Sequence, residues 1–295
     1  YYEDHFRLGN GNEDNQREQE LHTAEPLVKL PDIIDVEMTI NKLKNNKAPG
    51  CDCIPAEMIK KGGNQLKKTI LHLIQTIWTT ETMPEEWRTG VIVLIHKKGD
   101  RMICDNYRAI TLLCTVYKIL SNILYTKMKP YMEGIIGDYQ CGFRPGRSTT
   151  DQLFIMRQEA EKCWEQNIDL HCLFLDFESA YDNLILNKIW AHMHQLGFPR
   201  KLINVCRMVS SEPKAIVKLG KSTTKNFNLE KGTRQGDGLA PLLFNIALHI
   251  AVTKSEVQIH GTIFNKTQQI LGYADDVVIR GRRIKDVEEA LLKIG

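Results

Sequence analysis

Two apolar, strand-like runs in this chain end on carboxylates, and that combination restricts the fold more than any other feature. HCLFLDF carries Asp176 near its end, and Asp275 and Asp276 sit between the apolar runs QQILGY and VVI. An acidic side chain at the end of a buried strand costs free energy unless something neutralises it, and converging carboxylates repel one another without a cation. Successive side chains of a strand point to opposite faces, so Asp275 and Asp276 reach one place only if a hairpin tip lies there. A divalent ion is the natural counter-charge. Oxygen-only ligation by few carboxylates suits Mg²⁺, which keeps positions for phosphate oxygens. Taken alone, the Asp-Asp pair reads as a hydrophilic turn.

The rest of the chain predicts alternating helices and strands. A helical pattern starts at Asp35, stops at Pro49-Gly50, and resumes from Pro55 and again in QLKKTILHLIQTIW. VIVLIH reads as a buried strand, with NYRAITLL as its partner. VYKILSNILYTKMKPYM reads as an amphipathic helix interrupted late by Pro130. Ser148 to Asp151 offer N-cap oxygens to the helical segment LFIMRQEAEKCWEQ. AYDNLILNKIWAHMHQLG predicts a helix ending at Gly197, KAIVKLG and FNLEKG predict strands, and a further helix starts at Pro241. The fold class is α+β, an antiparallel sheet with packed helices.

Composition excludes other classes. The chain has 295 residues, 42% hydrophobic and 25% charged, as a folded soluble protein has. No run reaches the ~18 apolar residues a spanning helix needs, because Asn245 and His249 break PLLFNIALHIAV. No membrane is expected. The eight cysteines are scattered, which predicts reduced thiols and an intracellular protein, in nucleus or cytoplasm. Net charge is +3, but residues 1–30 hold seven acidic and three basic residues, leaving 36 basic against 29 acidic in the remainder. That tilt suits a phosphate-backbone partner, as it equally suits solvated basic faces. Residues 1–34 read as a polar linker or tail, and the first residue, Tyr1, as a cut end.

Further candidates lie on loops. In Arg234-Gln235-Gly236-Asp237 the glycine lets backbone approach a flat ligand and the glutamine can contact a base or sugar; an ordinary loop and N-cap has the same residues. Lys97, Lys98 and Arg108 could hold a triphosphate or stand solvated. Phe143, Arg144 and Arg147 combine an aromatic with two guanidinium groups on a Gly-rich loop, a composition able to hold a nucleic-acid strand or to form a surface turn.

In order, LFLDFESAYD, GTRQGDGLAPLLFN and LGYADDVVI resemble the three core palm motifs of a reverse transcriptase. NNKAPGCDCIPAEM, VIVLIHKKGD, NYRAITLLCTVYKIL and YQCGFRPGRSTTDQ are similar to the non-long-terminal-repeat (LINE-type) retrotransposon branch, so the resemblance covers about residues 35–283. It implies a right-hand polymerase with fingers at 35–168, a palm at 169–283, the start of a truncated helix at 284–295, and a missing thumb. It implies RNA-directed DNA synthesis from an RNA template, a DNA primer and dNTPs, with two Mg²⁺ ions, Mn²⁺ being a substitute. Asp176, Asp275 and Asp276 would be the catalytic carboxylates and metal ligands, joined by the carbonyl of Phe177. Tyr181 matches the steric gate against a ribose 2′-OH. Gln235 and Gly236 would border the nascent base pair, Arg108 and one of Lys97 or Lys98 would face the triphosphate, and Phe143, Arg144, Arg147 and Arg234 would contact nucleic acid. Ala109 and Ala240 stand where the family usually has Pro and Ser, which predicts reduced activity. A catalytically silent remnant that binds nucleic acid is the competing expectation, and oligomeric state is left open.

Overall fold

The computed structural model describes residues 28–255 and 269–294. The expected tail at 1–34 lies outside them as far as residue 27. The first helix, α1 (Ile33–Lys42), starts two residues ahead of the expected Asp35, because Asp32 and Asp35 form a capping box. The Asp32 carboxylate accepts from the Ile34 and Asp35 amides, and Asp35 accepts from the Asp32 amide, so the first turn's orphan donors are met. The short α2 (Ala56–Lys61) follows Pro55, and α3 (Asn64–Thr80) buries Ile70, Ile74, Ile77 and Trp78 at helical spacing.

The apolar run expected as a strand is β1 (Thr89–His96), paired antiparallel with β2 (Tyr107–Leu112) in a register from Val91↔Leu112 to His96↔Tyr107. Helix α4 (Thr115–Ile135) runs through Pro130 rather than breaking there. The lost hydrogen bond is offset beyond the proline, where Met132 and Ile136 are buried. A second capping box, Ser148 with Asp151, starts α5 (Thr149–Glu165), and β3 (His171–Asp176) follows. The helix expected from Ala180 begins only at α6 (Leu186–Gln195), since residues 178–183 form turns held by the loop described below. Then come α7 (Arg200–Ser210), β4 (Lys214–Leu219), the two-residue β5 (Ser222–Thr223) and β6 (Phe227–Asn228), and α8 (Ala240–Lys254). The chain closes with β7 (Ile270–Tyr273), β8 (Asp276–Gly281) and α9 (Ile284–Ile294).

These elements form two compact units, one of residues 28–130 with Tyr181–Ala240, the other of Tyr131–Ala180 with residues 241–255 and 269–294. In the first, β4 joins the free edge of β1 in parallel, Thr89↔Lys214 to Val93↔Lys218. The sheet of the first unit is therefore mixed. The long helical excursion between β1 and β4 permits a parallel crossover that no hairpin supplies. Ile92, Ala215, Val217 and Leu229 form a core cluster of this sheet, with Ala109 packed against it. In the second unit β3, β8 and β7 make the antiparallel sheet that the carboxylate runs predict.

Candidate active site

In the second unit the register places Asp176 directly opposite Asp276, the last residue of β3 against the first of β8. Tyr273 of β7 pairs with Asp276 from the other side. Cross-strand partners share a sheet face, with Cα atoms roughly 4.5–5.5 Å apart. The two carboxylates thus stand side by side, both exposed. Asp275 occupies the turn with Ala274, as the hairpin-tip argument requires. The Phe177 ring packs edge-to-face on Phe244 at 6.2 Å, which anchors the chain just beyond Asp176. Among the described residues no group of three or more His, Cys, Asp or Glu is gathered to hold a metal ion. What the structure pairs is two hard-oxygen donors, a set that fits Mg²⁺, a cation commonly held by one or two carboxylates with substrate phosphates completing the shell.

The hairpin tip is strained and firmly held. Ala274 has φ +59°, the left-handed region that a two-residue hairpin turn demands and that glycine usually fills. The side chain of Gln140, 1% exposed, accepts from the Ala274 amide at 2.9 Å and donates to the Ala274 carbonyl at 3.0 Å. Its oxygen also accepts from the Gly142 amide at 2.8 Å. The backbone of 139–142 runs along β7: the Gly272 amide donates to the Tyr139 carbonyl at 2.7 Å and the Cys141 amide to the Gly272 carbonyl at 2.9 Å. Gln152 of α5 donates to both of those carbonyls, and Asn245 of α8 donates to the carbonyl of Gly142. A Cβ on Gly142 would lie 2.0 Å from the Ala274 nitrogen, so only glycine fits.

This arrangement revises one expectation for the Gly-rich loop. Arg144 is buried, not presented to a nucleic-acid strand: its guanidinium pairs with Glu133 at 2.9 Å and donates to the carbonyls of Gly137 and Gln140. Arg147 pairs with Asp138 at the surface. Phe143 stands 49% exposed.

The first unit gathers the residues expected at the nucleotide. Gly236, at φ +118°, lies so close to β2 that a Cβ would meet the Thr111 carbonyl at 2.7 Å. The neighbouring Gln235 carbonyl accepts from the Thr111 amide at 2.7 Å, on the edge of β2 that β1 leaves open. The Gln235 amide is tied to Asp182, 3.1 Å away, and the Thr233 amide donates to the Tyr181 carbonyl at 2.9 Å. Those bonds hold residues 181–183 out of the helix expected from Ala180. Tyr181 is half-buried beside this loop. Arg108 is exposed on β2 opposite Ile95. Since the Lys97 amide donates to the Asn106 carbonyl at 2.7 Å, the ladder extends one step, and the period of two puts Lys97 rather than Lys98 on the Arg108 face.

Arg234 is a second correction. It lies 6% exposed beneath the loop, its guanidinium 4.5 Å from the Tyr117 ring centroid and hydrogen-bonded to the carbonyls of Trp87 and Val209. Asp237 accepts from Arg234, Ser121 and Tyr117, and from the Leu239 amide just ahead of α8. Burial, with Asp237 adding to it, pushes the Tyr117 hydroxyl well above its ordinary pKa, so it stays a donor.

Gln140, Gln152 and Asp182 have no signal in the sequence, and the supporting roles of Asn245 and Asp237 show only in the fold. Asn245 carried the available signal: an amide inside an apolar helix must find a buried partner.

Two sheets with packed helices and a carboxylate hairpin are the fingers-and-palm fold of the right-hand polymerases. A solved structure of an apo telomerase from Candida tropicalis, truncated from its C-terminal domain, shares it with a TM-score of 0.51 at 14% identity, over 76% of this chain and 51% of that one. The sequence profile of the family "Reverse transcriptase (RNA-dependent DNA polymerase)" matches residues 95–295, and the chain belongs to that family. A probable RNA-directed DNA polymerase from transposon X-element of Drosophila melanogaster is 27% identical over 84% of this chain. The Pol polyprotein from type-1 retrotransposable element R2 of Popillia japonica is 24% identical over 88% of it, and an uncharacterized 149 kDa protein of transposon TX1 from Xenopus laevis is 23% identical over 87%. The matched regions span only 27%, 35% and 20% of those relatives. The resemblance to retrotransposon reverse transcriptases drawn from the motifs holds.

Proposed function

We propose that this chain is an RNA-directed DNA polymerase core of a non-long-terminal-repeat retrotransposon, acting inside the cell and adding dNTPs to a DNA primer 3′-hydroxyl on an RNA template. The observation that carries the proposal is the Asp176↔Asp276 register, which sets two like charges side by side at an exposed hairpin tip. The two repel one another, and a cation between them relieves that repulsion. Asp176 and Asp276, with Asp275 and the Phe177 carbonyl, are assigned to hold Mg²⁺ or Mn²⁺. When bound, the metal supplies Lewis-acid activation of the hydroxyl and charge neutralisation at the phosphates.

Arg108 and Lys97 are assigned the triphosphate, since both are exposed cations on one face of a rigid hairpin. The Tyr181 ring excludes a ribose 2′-oxygen, its backbone fixed through Thr233. Gln235 and Gly236 form a surface against the nascent pair, the glutamine oriented by Asp182. Phe143 and Arg147, both exposed on the Gly-rich loop, are assigned to meet a strand. The fingers at 35–168 and palm at 169–283 are functional divisions within this proposal.

The test is incorporation of a single nucleotide on a primed RNA template with Mg²⁺, dTTP against UTP, beside Asp275→Asn. Incorporation of dTTP that vanishes in the variant supports the polymerase. No incorporation by a chain that still binds the primed template favours a silent nucleic-acid-binding remnant.

A further inference from the structure

We propose that Gln140 is a positioning residue for the carboxylate hairpin: its buried side-chain amide holds Ala274 in the turn that aims Asp275 and Asp276. The assignment of a metal to that hairpin rests on the function proposed above; the clamp itself rests on geometry alone.

The argument begins with what the turn lacks. Ala274 follows the last residue of β7, so neither its amide nor its carbonyl has a place in the β7–β8 ladder. It is also buried, at 6% exposure, and water is not a ready substitute. Both groups need partners, one acceptor and one donor, on the same side of a residue held at φ +59°. A primary amide is the neutral side-chain group that offers an oxygen and an N–H in one plane. Gln140 supplies both, at 2.9 and 3.0 Å, and the opposite flip would set like against like at each atom.

Gln140 is itself immobilised. Its oxygen takes the Gly142 amide as well, its backbone forms a parallel bridge with Gly272, and its carbonyl accepts from Arg144 at 3.0 Å. Gly142 lies flush on Ala274, and Asn245 and Gln152 tie down the loop carbonyls on either side. The tip is thus held by one side chain fixed on a frame drawn from α5, α8 and β7. Without the amide, the strained turn keeps its backbone cost and loses the bonds that offset it, and Asp275, the next residue, moves with it. Groups that orient a ligand set in this way typically cost about 10- to 100-fold in metal affinity or activity when removed.

The experiment uses the whole chain and has readouts that do not need turnover. In the wild type, hydrogen exchange at the Ala274 amide should be slow, like the β3–β8 ladder; exchange as fast as an open loop overturns the clamp without any variant. Gln140→Met keeps the volume and removes both partners. It should speed exchange at Ala274 and Gly142 about tenfold or more while the β3–β8 amides stay protected. Gln140→Glu keeps the acceptor and loses the donor, so Ala274 and Gly142 should remain protected in it.

Mn²⁺ titration of the resting protein, followed by water relaxation, should weaken about tenfold in Gln140→Met, with binding of primed template unchanged. Wild-type exchange and Mn²⁺ affinity in Gln140→Met would overturn the inference. A wild type that binds Mn²⁺ through this clamp yet incorporates nothing would sink the polymerase proposal and leave the positioning role standing.

Discussion

Replacing Arg234 by methionine separates two roles for this side chain by measurements that move in different directions. The guanidinium is 6% exposed and donates to the Trp87 carbonyl at 3.1 Å and the Val209 carbonyl at 3.3 Å. Losing a donor at each buried carbonyl costs about 1–3 kcal/mol. The cation lies over Tyr117 at 4.5 Å, a contact contributing about 2 kcal/mol when desolvated. Asp237 loses its counter-charge but keeps the hydroxyls of Ser121 and Tyr117, which limits the damage. These terms overlap, and the sum belongs in the range of about 3–5 kcal/mol found when one partner of a buried pair is removed.

Three of the four tryptophans, Trp78, Trp87 and Trp190, are buried in the first unit, whereas Trp164 is 85% exposed. Intrinsic fluorescence in urea therefore follows the unit that holds Arg234. A loss of this size should move its midpoint down by about 1–2 M. Binding of primed template, measured below the new midpoint, should keep its salt dependence. A phosphate contact would instead lower the salt slope by about one and leave stability nearly untouched. A midpoint shift under about 0.3 M together with the loss of one unit of slope would refute the burial argument.

Other perturbations follow from the same geometry. Gly142→Ala puts a Cβ 2.0 Å from the Ala274 nitrogen, and a displacement of order 1 Å at a reacting group costs about 100-fold; single-nucleotide incorporation should fall by at least that much with template binding intact. Full activity in this variant would mean the tip tolerates movement. Tyr181→Ala should admit ribonucleotides, read as the ratio of UTP to dTTP incorporation, and unchanged sugar selectivity would sink the gate assignment. Burial holds the His249 imidazole below its ordinary pKa of 6.5, so the unfolded chain takes the proton first as pH falls. Stability should therefore decline below that value by up to about 1.4 kcal/mol per pH unit, and His249→Phe should remove that part of the slope between pH 7.5 and 5.5 in urea melts.

The strands and the carboxylate hairpin were legible because local pattern and fold agree there. VIVLIH and NYRAITLL pair as their apolar content predicts, and the Asp-Asp pair lies at the hairpin tip that convergence of its two carboxylates on one place requires. What the sequence hid depends on contacts between distant segments. The stretch from Ala180 has helical spacing, yet Thr233 and Gln235, about fifty residues on, take its backbone and Asp182 into another conformation. Arg144 and Arg234 looked like exposed cations because composition does not reveal burial, and both turn inward to carbonyls that only tertiary structure brings near.

The glycines join motifs that lie far apart along the chain. Gly142 of YQCGF meets the backbone of Ala274 in YADD, and Gly236 of RQGD meets the backbone of Thr111 in NYRAIT. Each is a point where two motifs touch main chain to main chain, with no side chain between them to adjust. Backbone contact at under 3 Å from a hypothetical Cβ leaves no room for compensation by a neighbour, so a change in one motif must be answered in the other. Seen as sequence, these segments are separate signals; in the fold YQCGF is a support for the carboxylate turn, and RQGD is fastened to the edge of β2 three residues from Arg108. The chemistry-bearing side chains are thus held by polar groups and glycines of neighbouring motifs, and at the carboxylate turn Gln140 and Gly142 are themselves too buried to reach a substrate.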